Sequence, residues 1–300
     1  MSEAPPSTQA PAATTAPVAA PGPRPARRPA RAPGRPGARV PLARTPGRLG
    51  ARVPFARALG PLLLLAVWAL ASATGALDPQ TLAPPGTVAS TAWNLAADGR
   101  LGHHLFTSLQ RAALGLFFGL AAAVVLALLA GLSRLGEALI DGTAQLLRAL
   151  PILALVPLAI LWFGIGEEVK IILVALGTFF PLYINTHAAL TGLDLKWAEL
   201  SQVLALSRRQ FLLRIVLPGA APGFFTGLRL AVTVSWLVLV VSEQINATSG
   251  IGYLMTEART FGETDIIVVG LVVYGLLGLA SDTLVRSIER RALRWRTTLA

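Results

Sequence analysis

Long apolar runs dominate this 300-residue chain and constrain its fold more than any other feature. A helix needs ~20 predominantly apolar residues to cross the hydrocarbon core of a bilayer. Hydrophobic residues make up 54% of the sequence and charged residues 14%, whereas a soluble domain carries about 25% charged residues. The sequence therefore predicts an all-α, polytopic membrane protein with about six transmembrane helices. The runs are 58–77, 112–132, 146–165, 171–191, 219–242 and 266–285.

Residues 1–56 differ in composition from the rest of the chain: they are rich in Pro, Ala and Arg, and Glu3 is their one acid. Ten arginines lie between residues 24 and 57. Such a segment buries too little apolar surface to offset its ordering entropy. We therefore predict a disordered, basic cytoplasmic tail over 1–56 and a transmembrane domain over 57–298. The arginines either help to fix the topology or contact anionic lipid or nucleic acid. No aromatic side chains alternate with them, so nucleic acid is the weaker option.

Positively charged residues lie unevenly on the two sides of these runs. Cytoplasmic segments of membrane proteins carry an excess of Lys and Arg. An N-terminus in the cytoplasm assigns Arg100, Lys170 and Arg259 to the outside. Both termini are then predicted to be cytoplasmic, because six spans is an even number. The inner side receives the tail arginines, Arg134, Lys196, Arg208, Arg209, Arg214, Arg286, Arg290, Arg291, Arg294 and Arg296.

The residue inventory excludes several kinds of site. With no cysteine, the chain has no disulfide, thiolate metal site or Cys nucleophile. His103 and His104 lack the i, i+4 spacing of a zinc-binding pair. The sequence contains no G-x-x-x-x-G-K-[ST] motif, so ATP and Mg²⁺ are expected on a partner subunit. An embedded enzyme is disfavoured because nothing converges on the one close acidic pair, Glu137 and Asp141.

The segment 196–218, between the fourth and fifth runs, is amphipathic and charged. Ser207 and Gln210 fit a capping box, which predicts that a second helix begins directly after Ser207. Pro218 predicts that this helix ends at Leu217, because the residue before a proline is disfavoured in the α conformation. On periodicity alone, a helix lying on the inner leaflet fits equally well. The apolar positions at helical spacing are Leu200, Val203, Leu204 and Leu206.

Within this segment, Glu199 stands sixteen residues before Ile215, the first residue of I-V-L-P at 215–218. That spacing resembles the cytoplasmic "EAA" loop of ATP-binding-cassette importer permeases, whose pattern is E-A-A, three residues, G, nine residues, I-x-L-P. Leu200 and Ser201 replace the two alanines and Ala205 replaces the glycine. Glycine there would adopt φ > 0, which costs alanine roughly 1 kcal/mol. Either the break is less sharp here or the capping box maintains it.

Two further stretches, 146–190 and 241–255, resemble permeases for alkanesulfonates, taurine, nitrate and related small anions. The resemblance implies a type I ABC importer permease fold over about 58–298, in a bacterial plasma membrane. It also implies a second permease copy, two cytoplasmic ATP-binding subunits and an extracytoplasmic substrate-binding protein, with no nucleic acid. Aliphatic sulfonates are the favoured substrate and taurine, nitrate or another small solute the alternatives. A secondary transporter or channel is the alternative of a different class.

In this family the segment couples transport to ATP hydrolysis. Its apolar side, formed here by Val203, Leu206, Phe211 and Leu212, is expected to sit in a groove on the ATPase. The coupling residues implied by the resemblance are Glu199, Leu200, Ser201, Ala205, Ser207, Phe211, Ile215, Leu217 and Pro218.

Ionisable side chains within spans are costly and often functional. Arg148, His187, Arg229 and Glu243 are therefore candidates for the translocation path, and an arginine suits a sulfonate by charge and donor geometry. Alternatively, Arg148 reaches the membrane surface, Arg229 pairs with an acid of a neighbouring helix, and His187 is a hydrogen-bonded packing residue. Within the spans, Pro151, Pro157 and Pro181 are expected to kink their helices.

Overall fold

The computed structural model describes residues 56–295, which form helices and no β-strand within that range. The helices are α1 Ala56–Ala73, α2 Pro85–Ala97, α3 Arg100–Leu132, α4 Arg134–Leu147, α5 Ile152–Phe163, α6 Glu167–Thr191, α7 Leu195–Val203, α8 Arg208–Ile245, α9 Ile251–Phe261 and α10 Thr264–Ala292. Helices α4 and α8 each contain a π-helical turn, at Glu137–Asp141 and Leu212–Val216. Nearly all of the predicted tail lies outside the described residues.

Four helices, α3, α6, α8 and α10, are long and apolar enough to cross a bilayer. Helices α4 and α5 pass the same test only as a pair, and the apolar part of α1, Leu59–Ala73, is shorter. Each of the six predicted runs therefore lies in one helix or in the bent pair. The predicted all-α polytopic fold is confirmed, and the count of six spans is approximate.

Helix α6 packs along its length against both α3 and α8. Its side chains Leu182 and Tyr183 are fully buried, in one cluster with three alanines of α3. Those alanines recur every three or four residues, which places them on one face of the helix. They are Ala123, Ala127 and Ala130.

Two glycines continue this alanine face and bring α3 and α6 into close contact. A Cβ added to Gly115 would lie 2.6 Å from the Cβ of Val174, and one added to Gly119 would lie 2.5 Å from the carbonyl oxygen of Ala175. Both distances are too short for real carbon contacts, so only glycine fits at this separation. Small residues of this kind allow membrane helices to approach closely.

The third predicted run is not a straight span, because α4 and α5 meet at an angle of 86°. Pro151 stands at the bend with φ −67° and ψ 115°, an extended conformation. A proline donates no backbone hydrogen bond and disfavours the α conformation in the residue before it. The predicted kink at Pro151 is thus confirmed, as a sharp turn between two short helices.

The predicted helix end at Leu217 is wrong, because α8 continues through Pro218 as one helix of 38 residues. Leu217 itself has helical φ and ψ values of −63° and −47°. The π-helical turn Leu212–Val216 comes immediately before the proline. A π-turn widens the helix locally, which makes room for the proline ring where its N–H is missing.

The break between α7 and α8 is retained without glycine. Ala205 adopts φ +48°, the one positive φ of a non-glycine residue among residues 56–295. The amide of Leu206 donates to the carbonyl of Ser201 and the amide of Ala205 to that of Gln202, both at 3.0 Å. This is the Schellman arrangement that ends many helices.

The predicted capping box is also confirmed and restarts the helix. The amide of Gln210 donates to Ser207 Oγ at 3.3 Å, and the amide of Ser207 donates to Gln210 Oε1 at 3.0 Å. Two hydrogen-bonded caps therefore enclose Ala205 and hold it in a conformation that costs an L-amino acid roughly 1–2 kcal/mol.

We expect Ala205→Gly to stabilise the α7–α8 junction by about 0.5–1 kcal/mol, because it removes this backbone strain. Amide hydrogen exchange across residues 195–210 of the purified protein would measure the change as slower local opening. Ala198→Gly, in the middle of α7, is the matched control and should speed the same exchange. Equal effects of the two substitutions would contradict the assignment of strain to Ala205.

Candidate functional site

A cluster of polar side chains, four of them buried, lies where α3, α6, α8 and α10 meet. It lies near the start of α6 and the end of α8, at the opposite end of the bundle from the segment 196–218, which follows α6 and begins α8. We call it the polar cluster. Its members are Ser108, Arg111, Glu167, Lys170, Glu243, Ser249 and Tyr274.

Arg111 is the centre of the polar cluster, with a side chain that is 3% exposed. Its Nη1 donates to Glu243 Oε1 and to the carbonyl oxygen of Ser249, both at 2.7 Å. Its Nε and Nη2 donate to the two carboxylate oxygens of Glu167, and Nη2 also donates to Ser249 Oγ at 3.2 Å. A guanidinium has five N–H donors, and a buried one is costly unless they are used. Every nitrogen of Arg111 is engaged.

The carboxylate of Glu243 is fully buried, with a side chain that is 0% exposed. Besides Arg111, it accepts hydrogen bonds from Ser108 Oγ at 2.9 Å, the amide of Gly252 at 2.9 Å and the hydroxyl of Tyr274 at 3.0 Å. These donors, with Arg111, come from three different helices. Glu243 therefore ties α8 to α3, α9 and α10 through one side chain.

The glycine turn before α9 wraps around this carboxylate. Gly250 has φ +112°, and a Cβ there would collide with the Glu243 carboxylate. The amide of Gly250 donates to His104 Nδ1 at 3.1 Å and the amide of Ile251 to Ser108 Oγ at 2.9 Å. The turn is thus held by hydrogen bonds to α3.

Glu243 was predicted from the sequence as a site residue, whereas Arg111, Glu167 and Lys170, its neighbours in the polar cluster, were not. Arg111 stands one residue before the predicted run 112–132, so it was counted in neither the spans nor their flanks. The sequence did contain a pattern that places Arg111 on the packed face of α3. Ser108, Arg111, Gly115 and Gly119 recur every three or four residues and lie on one face of α3.

His187 lies in a separate group between α4 and α6. Its Nδ1 is 3.4 Å from Asp141 Oδ1, and its ring stacks on that of Tyr183, with centroids 5.6 Å apart. The hydroxyl of Tyr183 donates to the same Asp141 oxygen at 3.2 Å. These contacts are those of a packing residue beside a carboxylate, and the buried Nε2 of His187 has no hydrogen-bond partner among the described residues.

Arg229 and Arg148 lie apart from both groups. The Nε of Arg229 is 3.2 Å from Asp282 Oδ1 on α10, which was the alternative of a neighbouring acid, and Arg286 donates to the other oxygen of Asp282 at 2.7 Å. Arg148 is exposed at the bend between α4 and α5. The four predicted path residues, which include His187 and Glu243, therefore do not form one site within this chain.

The segment 196–218 places its predicted apolar side chains in different surroundings. Phe211 and Leu212 are half-buried and pack against the chain's own core, whereas Val203 is exposed. Ile215, Leu217 and Pro218 are half-buried. Leu206 and Ser201 are half-buried as well, whereas Glu199, Ala205 and Ser207 are exposed. Most of the large exposed apolar side chains belong to α7 and its end, with Leu213 on α8 as a further one: Leu195, Trp197, Leu200, Val203 and Leu204.

We expect Glu243→Gln to lower the free energy of unfolding by about 3–5 kcal/mol, because it removes one partner of a buried ion pair. The matched control is Glu257→Gln. Glu257 pairs with Arg100 at 3.5 Å, with side chains 33% and 52% exposed, and such pairs are worth about 0–1 kcal/mol. Unfolding of the purified protein in detergent would measure both. Similar losses in the two variants would contradict the special role of the buried pair.

Comparison with known proteins gives a family for this arrangement. Residues 115–294 match the model of the binding-protein-dependent transport system inner membrane component. The fold is similar to that of a solved amino acid ABC transporter, with a TM-score of 0.54 and 16% identity, over 63% of this chain and 92% of that one.

Three relatives are similar over most of their length. The aliphatic sulfonates transport permease protein SsuC of Escherichia coli (strain K12) is 45% identical over 78% of this chain and 89% of its own. SsuC of Bacillus subtilis (strain 168) is 38% identical over 79% and 86%. The taurine transport system permease protein TauC of Escherichia coli (strain K12) is 33% identical over 78% and 86%. This chain therefore belongs to the binding-protein-dependent inner-membrane permeases of ABC transporters and is a transport subunit, not an enzyme.

Proposed function

We propose that this chain is the transmembrane permease subunit of an ATP-driven importer of aliphatic sulfonates. The observation that carries the proposal is the 45% identity to a sulfonate permease along 89% of that protein's length. The similar stretch is 235 residues long, so the similarity is not confined to one apolar helix. Taurine is the second candidate substrate, supported by the 33% identity to a taurine permease.

The proposed assembly contains two copies of this chain, two cytoplasmic ATP-binding subunits and an extracytoplasmic binding protein. The absence of a phosphate-binding G-x-x-x-x-G-K-[ST] motif from the sequence supports ATP and Mg²⁺ binding on a partner. In the bacterial plasma membrane, both termini and the segment 196–218 face the cytoplasm, because that orientation gives the inner side most of the positive charge. The polar cluster then faces the outside.

We call the segment 196–218 the coupling segment. Its exposed apolar side chains on α7, of which Val203 is 83% exposed, are the surface that a groove of the ATP-binding subunit would cover. Glu199 and the exposed Arg208 and Arg209 supply polar contacts at its edge. Phe211 has a different role, because it anchors the segment to the transmembrane core.

Helix α8 connects the coupling segment to the polar cluster without interruption. Its 38 residues span about 57 Å at 1.5 Å per residue. A displacement of the coupling segment when the ATP-binding subunits close would therefore move Glu243 at the other end as part of the same rigid element. This lever is how ATP hydrolysis on a partner would rock the helices around the substrate.

The four residues predicted to line the translocation path remain candidates with different surroundings. A charge exposed within a span faces water or a second subunit, because exposure to lipid is costly. Arg148 and the pair of Arg229 with Asp282 are therefore proposed to face the second copy or the pathway. His187 and Glu243 are proposed to act through packing and through the polar cluster.

We expect proteoliposomes that hold the complete transporter and its binding protein to import labelled ethanesulfonate with ATP inside, and not with a proton gradient alone. Unlabelled taurine and nitrate should compete less well than unlabelled ethanesulfonate. Preferred uptake of taurine or nitrate would reassign the substrate within the same class. Uptake driven by the proton gradient alone would contradict the importer itself.

We expect Glu199→Lys to lower ATP-driven uptake by about tenfold, a loss typical of a residue that dominates a protein interface, while ATP hydrolysis continues. Membrane insertion should be unchanged because Glu199 is exposed and lies outside the helix bundle. Glu263→Lys, at an exposed position before α10 and at the opposite end of the bundle, is the matched control and should transport normally. Full transport by Glu199→Lys would contradict the coupling role.

A further inference from the structure

The two carboxylates that contact Arg111 have different surroundings. The side chain of Glu243 is 0% exposed, whereas that of Glu167 is 55% exposed. Glu243 is held by donors from three helices, α3, α9 and α10. Glu167 stands at the first position of α6, and its side chain reaches Arg111 from solvent. One partner of the arginine is thus fixed, and the other can move away into water.

Lys170 depends on the same movable carboxylate. Its side chain is 4% exposed, and its Nζ donates to Glu167 Oε1 at 3.0 Å and to the carbonyl oxygen of Gly166 at 3.2 Å. Glu167 is therefore the acidic partner of a buried ammonium group as well as of Arg111. A buried cation is costly without an anion beside it. If Glu167 moved away, another anion would be strongly favoured in its place.

Three donors converge on the position of the Glu167 carboxylate. The Nε and Nη2 of Arg111 bind its two oxygens side by side, and Lys170 Nζ adds a third contact. The planar guanidinium edge fits any oxyanion with two oxygens at this spacing. A sulfonate has three oxygens, one for each of these donors. The positive end of the α6 dipole adds to the attraction.

We propose that Arg111 and Lys170 form a binding site for the sulfonate group of the substrate, which Glu167 occupies with its own carboxylate when no substrate is present. The proposal rests on the proposed function, because it takes the imported solute to be an organosulfonate. The incoming sulfonate replaces the Glu167 carboxylate, which swings into solvent. One anion replaces another, so the buried charge stays balanced. No covalent bond forms or breaks.

The position of the site suits a first contact with the substrate. It lies at the end of the bundle proposed to face the outside, where a binding protein would deliver its ligand. It also shares Arg111 with Glu243 on α8, and α8 leads to the coupling segment. Loading of the site would therefore alter the polar contacts at one end of the helix that the ATP-binding subunits move at the other.

The test compares Glu167→Gln with the wild-type permease, purified with its ATP-binding subunits in lipid nanodiscs. The thermal unfolding midpoint is followed against sodium ethanesulfonate at constant ionic strength. Removal of the competing carboxylate should lower the half-effective concentration by roughly tenfold, the effect of one lost charge-assisted contact. If Glu167→Gln is unstable, ethanesulfonate added during purification should restore its yield.

Two further variants make the result specific. Glu168→Gln, the same change at the neighbouring exposed residue, should behave as the wild type. Glu167→Gln combined with Lys170→Met keeps the charge balanced and should lose the gain in affinity, because one of the three donors is missing. The proposal would be overturned by a Glu167→Gln protein whose half-effective concentration equals that of the wild type, or whose yield ethanesulfonate does not restore. Glu167 would then only hold helices together.

Uptake measured on the same preparations separates the two proposals. Wild-type uptake of ethanesulfonate with no response to Glu167→Gln would leave the importer intact and remove the site. Tighter ethanesulfonate binding by Glu167→Gln, without wild-type uptake of any alkanesulfonate, would retain the anion site and remove the sulfonate importer.

Discussion

The buried contact between Arg111 and Glu243 is the interaction on which one end of the bundle depends, the end where α6 begins and α8 ends. Each charge would be too costly alone in a low-dielectric interior, so each requires the other and a full set of hydrogen-bond partners. The partners come from α3, α6, α9 and α10 and from the turn before α9. One ion pair thereby fixes the relative positions of helices that are far apart in sequence.

The opposite end of the bundle follows a different principle. There, local hydrogen bonds define the shape of the coupling segment, through a Schellman end on α7 and a capping box on α8 that enclose Ala205. Both caps are formed by residues within six positions of one another. The continuous helix α8 connects the coupling segment, whose shape depends on hydrogen bonds between sequence neighbours, to the polar cluster, which depends on contacts between helices distant in sequence. That combination suits the proposed lever, in which the coupling segment keeps its shape while α8 moves with it.

Much of the fold could be predicted from the sequence, because apolar length and charge asymmetry are properties of single segments. The apolar runs, the capping box at Ser207 and the kink at Pro151 are of this local kind. The helix end predicted at Leu217 was wrong, because the π-helical turn at Leu212–Val216 accommodates Pro218 within a continuous helix. The packing of Phe211 against the chain's own core was not predicted, because helical spacing marks an apolar face without identifying what covers it.

The sequence by itself determined that this chain crosses a membrane, belongs with ATP-driven permeases and carries a broken helical segment between its fourth and fifth apolar runs. Only the tertiary structure decided which charges meet. Arg111, Glu167 and Glu243 are separated by more than fifty residues from one another. Arg229 pairs with Asp282 on α10, fifty-three residues away. Ion pairs between helices depend on how the helices pack, and packing depends on close approaches such as that at Gly119. These ion pairs between helices therefore cannot be predicted from any local sequence pattern.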